Sequence, residues 1–215
     1  MSLQNRDTPP FPSSELTLSD VAFSRGAIPI FAALSLSVTS RNLLWVGGDN
    51  GIGKSSLLRL MSGLSRAESG QISWSINGHT CSPSELIAYQ GHQDAFKPAL
   101  TAAEALSFWA DILDTAIDVE NVLRSVGLQE RANVPCGQLS AGQKRRLSLA
   151  RLMLSQKPIW ILDEPTAAMD ATGVSLIHER IAAHIEMGGS AIIASHKAPI
   201  IAAMNTRQLI LKAAS

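Results

Sequence analysis

The sequence predicts an α/β fold: a parallel-sheet core with an antiparallel β edge and an inserted α-helical subdomain. Three observations predict it. Short apolar runs bounded by turn residues alternate with segments of helical spacing, the signature of strand–helix–strand units. The first part of the chain instead shows strand after strand, with no helix between them. Between the two halves, 91–156 is mostly helical in pattern.

Each element has its own signal. Over 15–38, "LTLSDVAF" and "FAALSLSV" alternate apolar and polar residues and predict an antiparallel pair. "LLWV" at 43–46 is a continuous apolar run closed by Gly47 and Gly48, as suits a buried central strand. "KSSLLRLMSGL" spaces Leu57, Leu60, Met61 and Leu64 along one face of a helix. "GQISWSING" alternates Ile72, Trp74 and Ile76, and predicts another strand. "TAAEALSFWADIL" and "DVENVLRSVGL" are helical, and "PIWILDE" at 158–164 is a buried strand. A helix over 171–187, the Gly188-Gly189 turn, the strand "SAIIAS" and a last strand in "RQLILKA" complete the chain. The expected division is a flexible tail at 1–14, a core of 15–90 with 157–215, and a helical subdomain at 91–156.

With 215 residues, 46% of them hydrophobic, the chain can bury a substantial core in one domain. Lysine plus arginine balances aspartate plus glutamate at 18 each, which argues against a general nucleic-acid binder. Cys81 and Cys136 are far apart and form no CxxC pair, so neither a metal site nor a disulfide framework is expected. No apolar run approaches the roughly 18 residues of a membrane span. "MSLQNRDTPPFPSSE" lacks the apolar stretch of a secretory signal. The expectation is a soluble cytoplasmic chain that can sit on a membrane partner.

Gly48-Asp49-Asn50-Gly51-Ile52-Gly53-Lys54-Ser55 matches GxxxxGK[ST] between a predicted strand and a predicted helix. Its glycines let backbone N–H groups turn toward phosphate, and the helix start, continuing into Ser56, adds its positive end. Lys54 is placed for the β- and γ-phosphates and the Ser55 hydroxyl for Mg²⁺. The core is thus expected to be a P-loop NTPase core of the RecA-like type. Asp163 and Glu164 end the strand "IWILDE": the aspartate can hold Mg²⁺ through water, and the glutamate, on the other side of the chain, can polarise an attacking water.

Gln93, where core and helical subdomain join, can contact Mg²⁺ or the water; taken alone it is equally well a surface glutamine. His196 follows the strand "AIIAS" near the expected γ-phosphate, although a lone histidine there is more often structural. His79, His92, His178 and His184 show no ligand spacing and read as structural. Ser140-x-x-Gln143 is a capping box opening a helix whose N-terminus attracts anions. Lys144, Arg145 and Arg146, interleaved with leucines, read as a solvated helix face.

In this order, the Gly48 loop, Gln93, "LSAGQ", Asp163-Glu164, "AAMD" and His196 resemble an ATP-binding cassette (ABC) ATPase over nearly the whole chain. The resemblance implies ATP hydrolysis in a head-to-tail dimer. Ser140, Ala141, Gly142 and Gln143 of one copy then meet ATP held by the other, and Asp170 lies at the seam. "GHQDAFKPALTAAEALSF" and "QLSAGQKRRLSLARLMLSQKPIWILDEP" are similar to the haem-export ATPases of cytochrome c biogenesis. That resemblance implies integral-membrane partners at the cytoplasmic face of the bacterial inner membrane. It also implies that hydrolysis drives haem delivery by releasing a haem-loaded periplasmic chaperone. No residue of the sequence reads as a haem ligand, and this chain is not expected to bind haem. The alternatives are an ATPase of another small exporter or a non-transport ABC ATPase; no NKxD guanine motif supports a GTPase.

Departures from the common cassette pattern are few. Arg25, with Phe23 two residues away, stands where many cassettes stack an aromatic on adenine, and a guanidinium plane can also stack. Ala141 replaces a commoner glycine, and Ser55 in place of threonine keeps the hydroxyl.

Overall fold

The antiparallel strands form a sheet of their own rather than an extension of the parallel one. The structure, a computed structural model, describes residues 11–26, 28–201 and 206–212. Strands β1 (Ser14–Arg25) and β2 (Ile28–Thr39) pair along nearly their whole length. With β4 (Ser69–Ile76) and β5 (His79–Thr80) they make a sheet of order β2-β1-β4-β5. The second sheet has five strands, all parallel, in the order β6-β7-β8-β3-β9. These are β3 (Leu43–Gly47), β6 (Ile87–Gln90), β7 (Ile159–Asp163), β8 (Ser190–Ala194) and β9 (Thr206–Ile210).

The period of two along these strands divides the apolar residues between two cores. Ile159 and Ile161 of β7 and Ile192 and Ala194 of β8 face one way. There they meet Leu16, Leu18 and Val21 of β1 and the helix α1 (Lys54–Met61). Trp160, Leu162, Ala191 and Ile193 face the other way. They meet α3 (Ala102–Ile112), α4 (Val119–Ser125), α5 (Ala141–Leu154) and α6 (Ala171–Glu186). A short helix α2 (Pro83–Leu86) leads into β6. The parallel sheet is therefore covered on both faces, as its continuous apolar strands require.

Helix starts follow the sequence closely. Thr101 and Glu104 form a capping box on α3, Ser82 and Glu85 on α2, and Ser140 and Gln143 on α5. Three features differ from expectation. Helix α1 stops at Met61, Gly63 takes φ +71°, and Leu64 is left 56% exposed instead of on the buried face. Strand β6, only four residues long, is too short for its alternation to register, and its pairing with β7 is non-local. Residues 1–10 of the expected flexible tail lie outside the described residues, but the tail's remainder is tied down. Phe11 N–H donates to Met187 O at 3.3 Å, its ring meets His184 edge-on at 4.8 Å, and Ser13 N–H donates to Asn77 Oδ1.

His184 lies beneath the entry to β7. It is 1% exposed, stacked on Trp160 at 3.9 Å between ring centroids, with Nε2 3.0 Å from Pro158 O. Burial pushes its pKa down to about 4.

Candidate active site

The parallel strands deliver their C-terminal ends to one place, the usual ligand position in such sheets. β3 runs into the Gly48 loop, β7 ends on Asp163, and β8 ends two residues before His196. A cavity of about 450 Å³ opens there. Asn50, Gly51, Gly53, Lys54, Ser55 and Ser56 line it together with Asp163, Glu164, His196 and Arg25.

The loop's conformation explains its glycines. Gly48, Gly51 and Gly53 take φ of +134°, +79° and +111°. A Cβ at Gly53 would also fall 2.1 Å from Ile30 Cγ2 of β2, which lines the same cavity. Gly53 is the N-cap of α1 and supplies no side-chain cap, so the first-turn N–H groups are free to meet an anion. Lys54 is 8% exposed; its ammonium donates to Gly48 O at 2.7 Å and Asp49 O at 2.9 Å. Gly48, Asp49 and Ile52 do not line the cavity; they brace the loop, Ile52 against the core shared with β1.

Asp163 is 3% exposed. Glu164 leaves the strand in a left-handed conformation, φ +50°, with its N–H donating to Ala194 O at 2.8 Å. That turn explains why two adjacent carboxylates line one cavity, whereas strand alternation had put them on opposite sides of the chain. His196 Nε2 is 3.6 Å from Glu164 Oε1. Gln93 does not line this cavity. It lines an adjacent one of about 550 Å³, together with Ser55, Asp163 and His92.

Two residues were read differently from sequence. His92, taken as structural, is exposed and lines both cavities; its place directly before Gln93 is the only local signal. Arg145 is not on a solvated face. It is 4% exposed, because α5 packs over the ends of β6 and β7, where carbonyls need donors. Lys144 and Arg146 are partly buried, with Arg146 Nη1 donating to Val126 O and Gly127 O. Phe23 stacks with Phe31 at 6.0 Å.

The "LSAGQ" stretch lies elsewhere. Gln143 N–H donates to Ser140 Oγ at 3.2 Å and Ser140 N–H to Gln143 Oε1 at 2.9 Å. Ser140, Gly142 and Gln143 line a separate cavity of about 250 Å³ with Asp170, which caps α6 by accepting from Gly173 N–H at 2.8 Å. Ala141 is exposed at the first turn of α5. This cavity shares no lining residue with the one at Lys54.

Residues 31–167 match the family model described as ABC transporter. This chain belongs to the ABC transporter ATPase family. As in the family, it carries an ATP-binding P-loop core and is an ATP-hydrolysing enzyme. Curated relatives include the cytochrome c biogenesis ATP-binding export protein CcmA of Ruegeria pomeroyi, 41% identical over 84% of both chains. The protein of that name from Bradyrhizobium diazoefficiens is 44% identical over 81% of this chain and 88% of its own. Solved ABC structures share the fold. One, described as an ABC transporter ATP-binding protein from Pyrococcus furiosus, has a TM-score of 0.79 at 22% identity, covering 92% of this chain and 97% of that one. A dimeric bacterial ABC transporter cassette has a TM-score of 0.76 at 21% identity, covering 91% and 94%. No helix among the described residues of this ABC ATPase is long and apolar enough to cross a membrane.

Proposed function

We propose that this ABC ATPase powers haem delivery in cytochrome c maturation, by driving release of a haem-loaded periplasmic chaperone from a membrane complex. The observation that carries this reading is roughly 40% identity, over more than four-fifths of the chain, to curated cytochrome c biogenesis ATP-binding export proteins. In it, two copies of the chain sit peripherally on integral-membrane subunits at the cytoplasmic face of the bacterial inner membrane, and nucleic acid has no part. The core is 15–90 with 157–215, and 91–156 is the helical subdomain that carries the signature.

The residues divide the chemistry among them. Lys54 and the loop and helix amides from Gly48 to Ser56 hold the β- and γ-phosphates of ATP. Arg25 stacks on the adenine. The Ser55 hydroxyl and the Asp163 carboxylate line the same cavity and are oxygen donors of the kind Mg²⁺ takes, alongside phosphate, with Gln93 from the adjoining cavity. Bound there, Mg²⁺ neutralises charge on the phosphates. Glu164 accepts a hydrogen bond, then the proton, from a water whose oxygen attacks the γ-phosphorus as the bond to the bridging oxygen breaks. His196, 3.6 Å from Glu164, orients that carboxylate and faces the γ-phosphate. Ser140, Ala141, Gly142 and Gln143 meet ATP bound to the second copy, which suits a signature cavity distinct from the phosphate cavity.

Deleting the gene is expected to abolish covalent haem attachment to c-type cytochromes. Normal maturation of those cytochromes in the deletion strain overturns the haem assignment. Glu164→Gln is expected to keep ATP binding while lowering turnover on the order of 10²–10⁴-fold. Undiminished hydrolysis by that variant overturns the assignment of the base.

A further inference from the structure

Strand ends leave carbonyls that need donors, and at the ends of β6 and β7 one side chain supplies several of them. Arg145, on α5, donates from Nε to Glu164 O at 3.1 Å and from Nη2 to Asp163 O at 2.9 Å. Its Nη1 donates to Gly91 O at 2.8 Å and lies 3.3 Å from Asp94 Oδ1. Ser148, one turn further along α5, donates to the same Asp94 oxygen at 2.6 Å. A guanidinium can serve these acceptors together because its N–H groups are fixed in a planar fork. Two of the four belong to the carboxylate pair itself, and the others belong to the loop that carries Gln93.

Glu164 gives this arrangement its consequence. Its φ of +50° is a conformation that residues other than glycine seldom hold without outside support. The support comes from Ala194, which accepts from its N–H, and from two donors to its carbonyl, the Ala167 N–H at 3.2 Å within the same turn and Arg145 from a different helix. We propose that Arg145 is a positioning residue for ATP hydrolysis. It holds Glu164 in the left-handed turn that aims its carboxylate into the phosphate cavity, and it holds Gly91 at the foot of the Gln93 loop. It does not line the phosphate cavity, so it acts through Glu164 rather than on ATP. The inference rests on Glu164 being the group that activates water.

The test compares Arg145→Lys and Arg145→Gln in the full chain, isolated with its membrane subunits. Lysine keeps the charge near Asp94 but lacks the planar fork that spans the carbonyls. Displacement of a fluorescent ATP analogue gives the affinity, and single-turnover hydrolysis gives the rate. Both variants are expected to hydrolyse ATP more slowly by on the order of ten- to a hundredfold, with affinity within about twofold of the parent. Added to Glu164→Gln, Arg145→Lys is expected to slow the residual rate much less than it slows the parent, because the carboxylate it aims is already gone. If Arg145→Gln does not fold, Arg145→Lys decides on the same readouts. Parent-like hydrolysis in a folded variant overturns the proposal. So does a loss of affinity matching the loss of rate, or an undiminished effect of Arg145→Lys in the Glu164→Gln background. Full hydrolysis by Glu164→Gln alone removes the base as well as the proposal, whereas the other failures remove only the proposal.

Discussion

Lowering the pH should unfold this ABC ATPase through His184 in particular, and the size of the effect follows from its site. The ring is buried, stacked on Trp160 and hydrogen-bonded to Pro158 O. Burial favours the neutral form and brings the pKa down to about 4, against 6.5 for an unperturbed histidine. In the window between those values the unfolded chain binds a proton that the folded chain refuses. Stability therefore rises with pH through the window and is lost as pH falls through it. The full shift amounts to about 3 kcal/mol, of which about 2 kcal/mol is lost between roughly pH 7.5 and pH 5. Carboxylates also titrate near the acid end, so the measurement is a difference between the parent chain and His184→Gln. The glutamine amide can still donate to Pro158 O but does not titrate. Urea unfolding followed by tryptophan fluorescence at several pH values gives the two curves. The variant is expected to be less stable near neutral pH, by about 1–2 kcal/mol for the lost stacking and packing. The gap should close toward pH 5. Parallel curves for the two chains would refute the assignment of the buried neutral ring.

Other expectations are more direct. Lys54→Ala should weaken ATP binding by about ten- to a hundredfold, the range for losing a charged hydrogen-bond donor to phosphate, as read by equilibrium nucleotide binding. Gly53→Ala should abolish nucleotide binding with little loss of overall fold, since its φ of +111° and the Ile30 contact leave no room for a methyl group; circular dichroism alongside the binding assay separates the two effects. A mixed dimer with Ser140→Arg on one copy and Lys54→Ala on the other should retain one intact composite site. With both changes on one copy it should retain none; equal hydrolysis in the two arrangements contradicts the trans arrangement of the signature.

Much of the site was legible because its chemistry is carried by short runs whose backbone demands are local. The glycines at 48, 51 and 53 announce positive φ, and Ser140 with Gln143 announces a helix start. The long strands β1 and β2 were equally plain from their apolar–polar alternation, although bulges interrupt their pairing. What escaped depends on packing between distant segments. Arg145 sits in a basic, leucine-studded helix, and nothing in its neighbours shows that β6 and β7 end beneath it. The positive φ of Glu164, in a residue with no intrinsic preference for it, is held by Ala194 and Arg145 as well as by the local Ala167 N–H. The separation of the antiparallel strands into their own sheet follows from β1 pairing with both β2 and β4, which alternation cannot reveal.

Ile30 shows how little of this chain is modular. It belongs to the antiparallel sheet, yet its methyl group occupies the space a side chain at Gly53 would need. A minimal version pared down to the five parallel strands and their helices would keep every residue of the GxxxxGK[ST] loop and lose the wall it leans on. For anyone trimming or recombining cassettes of this kind, the smallest portable unit begins before the phosphate loop, at the hairpin of β1 and β2.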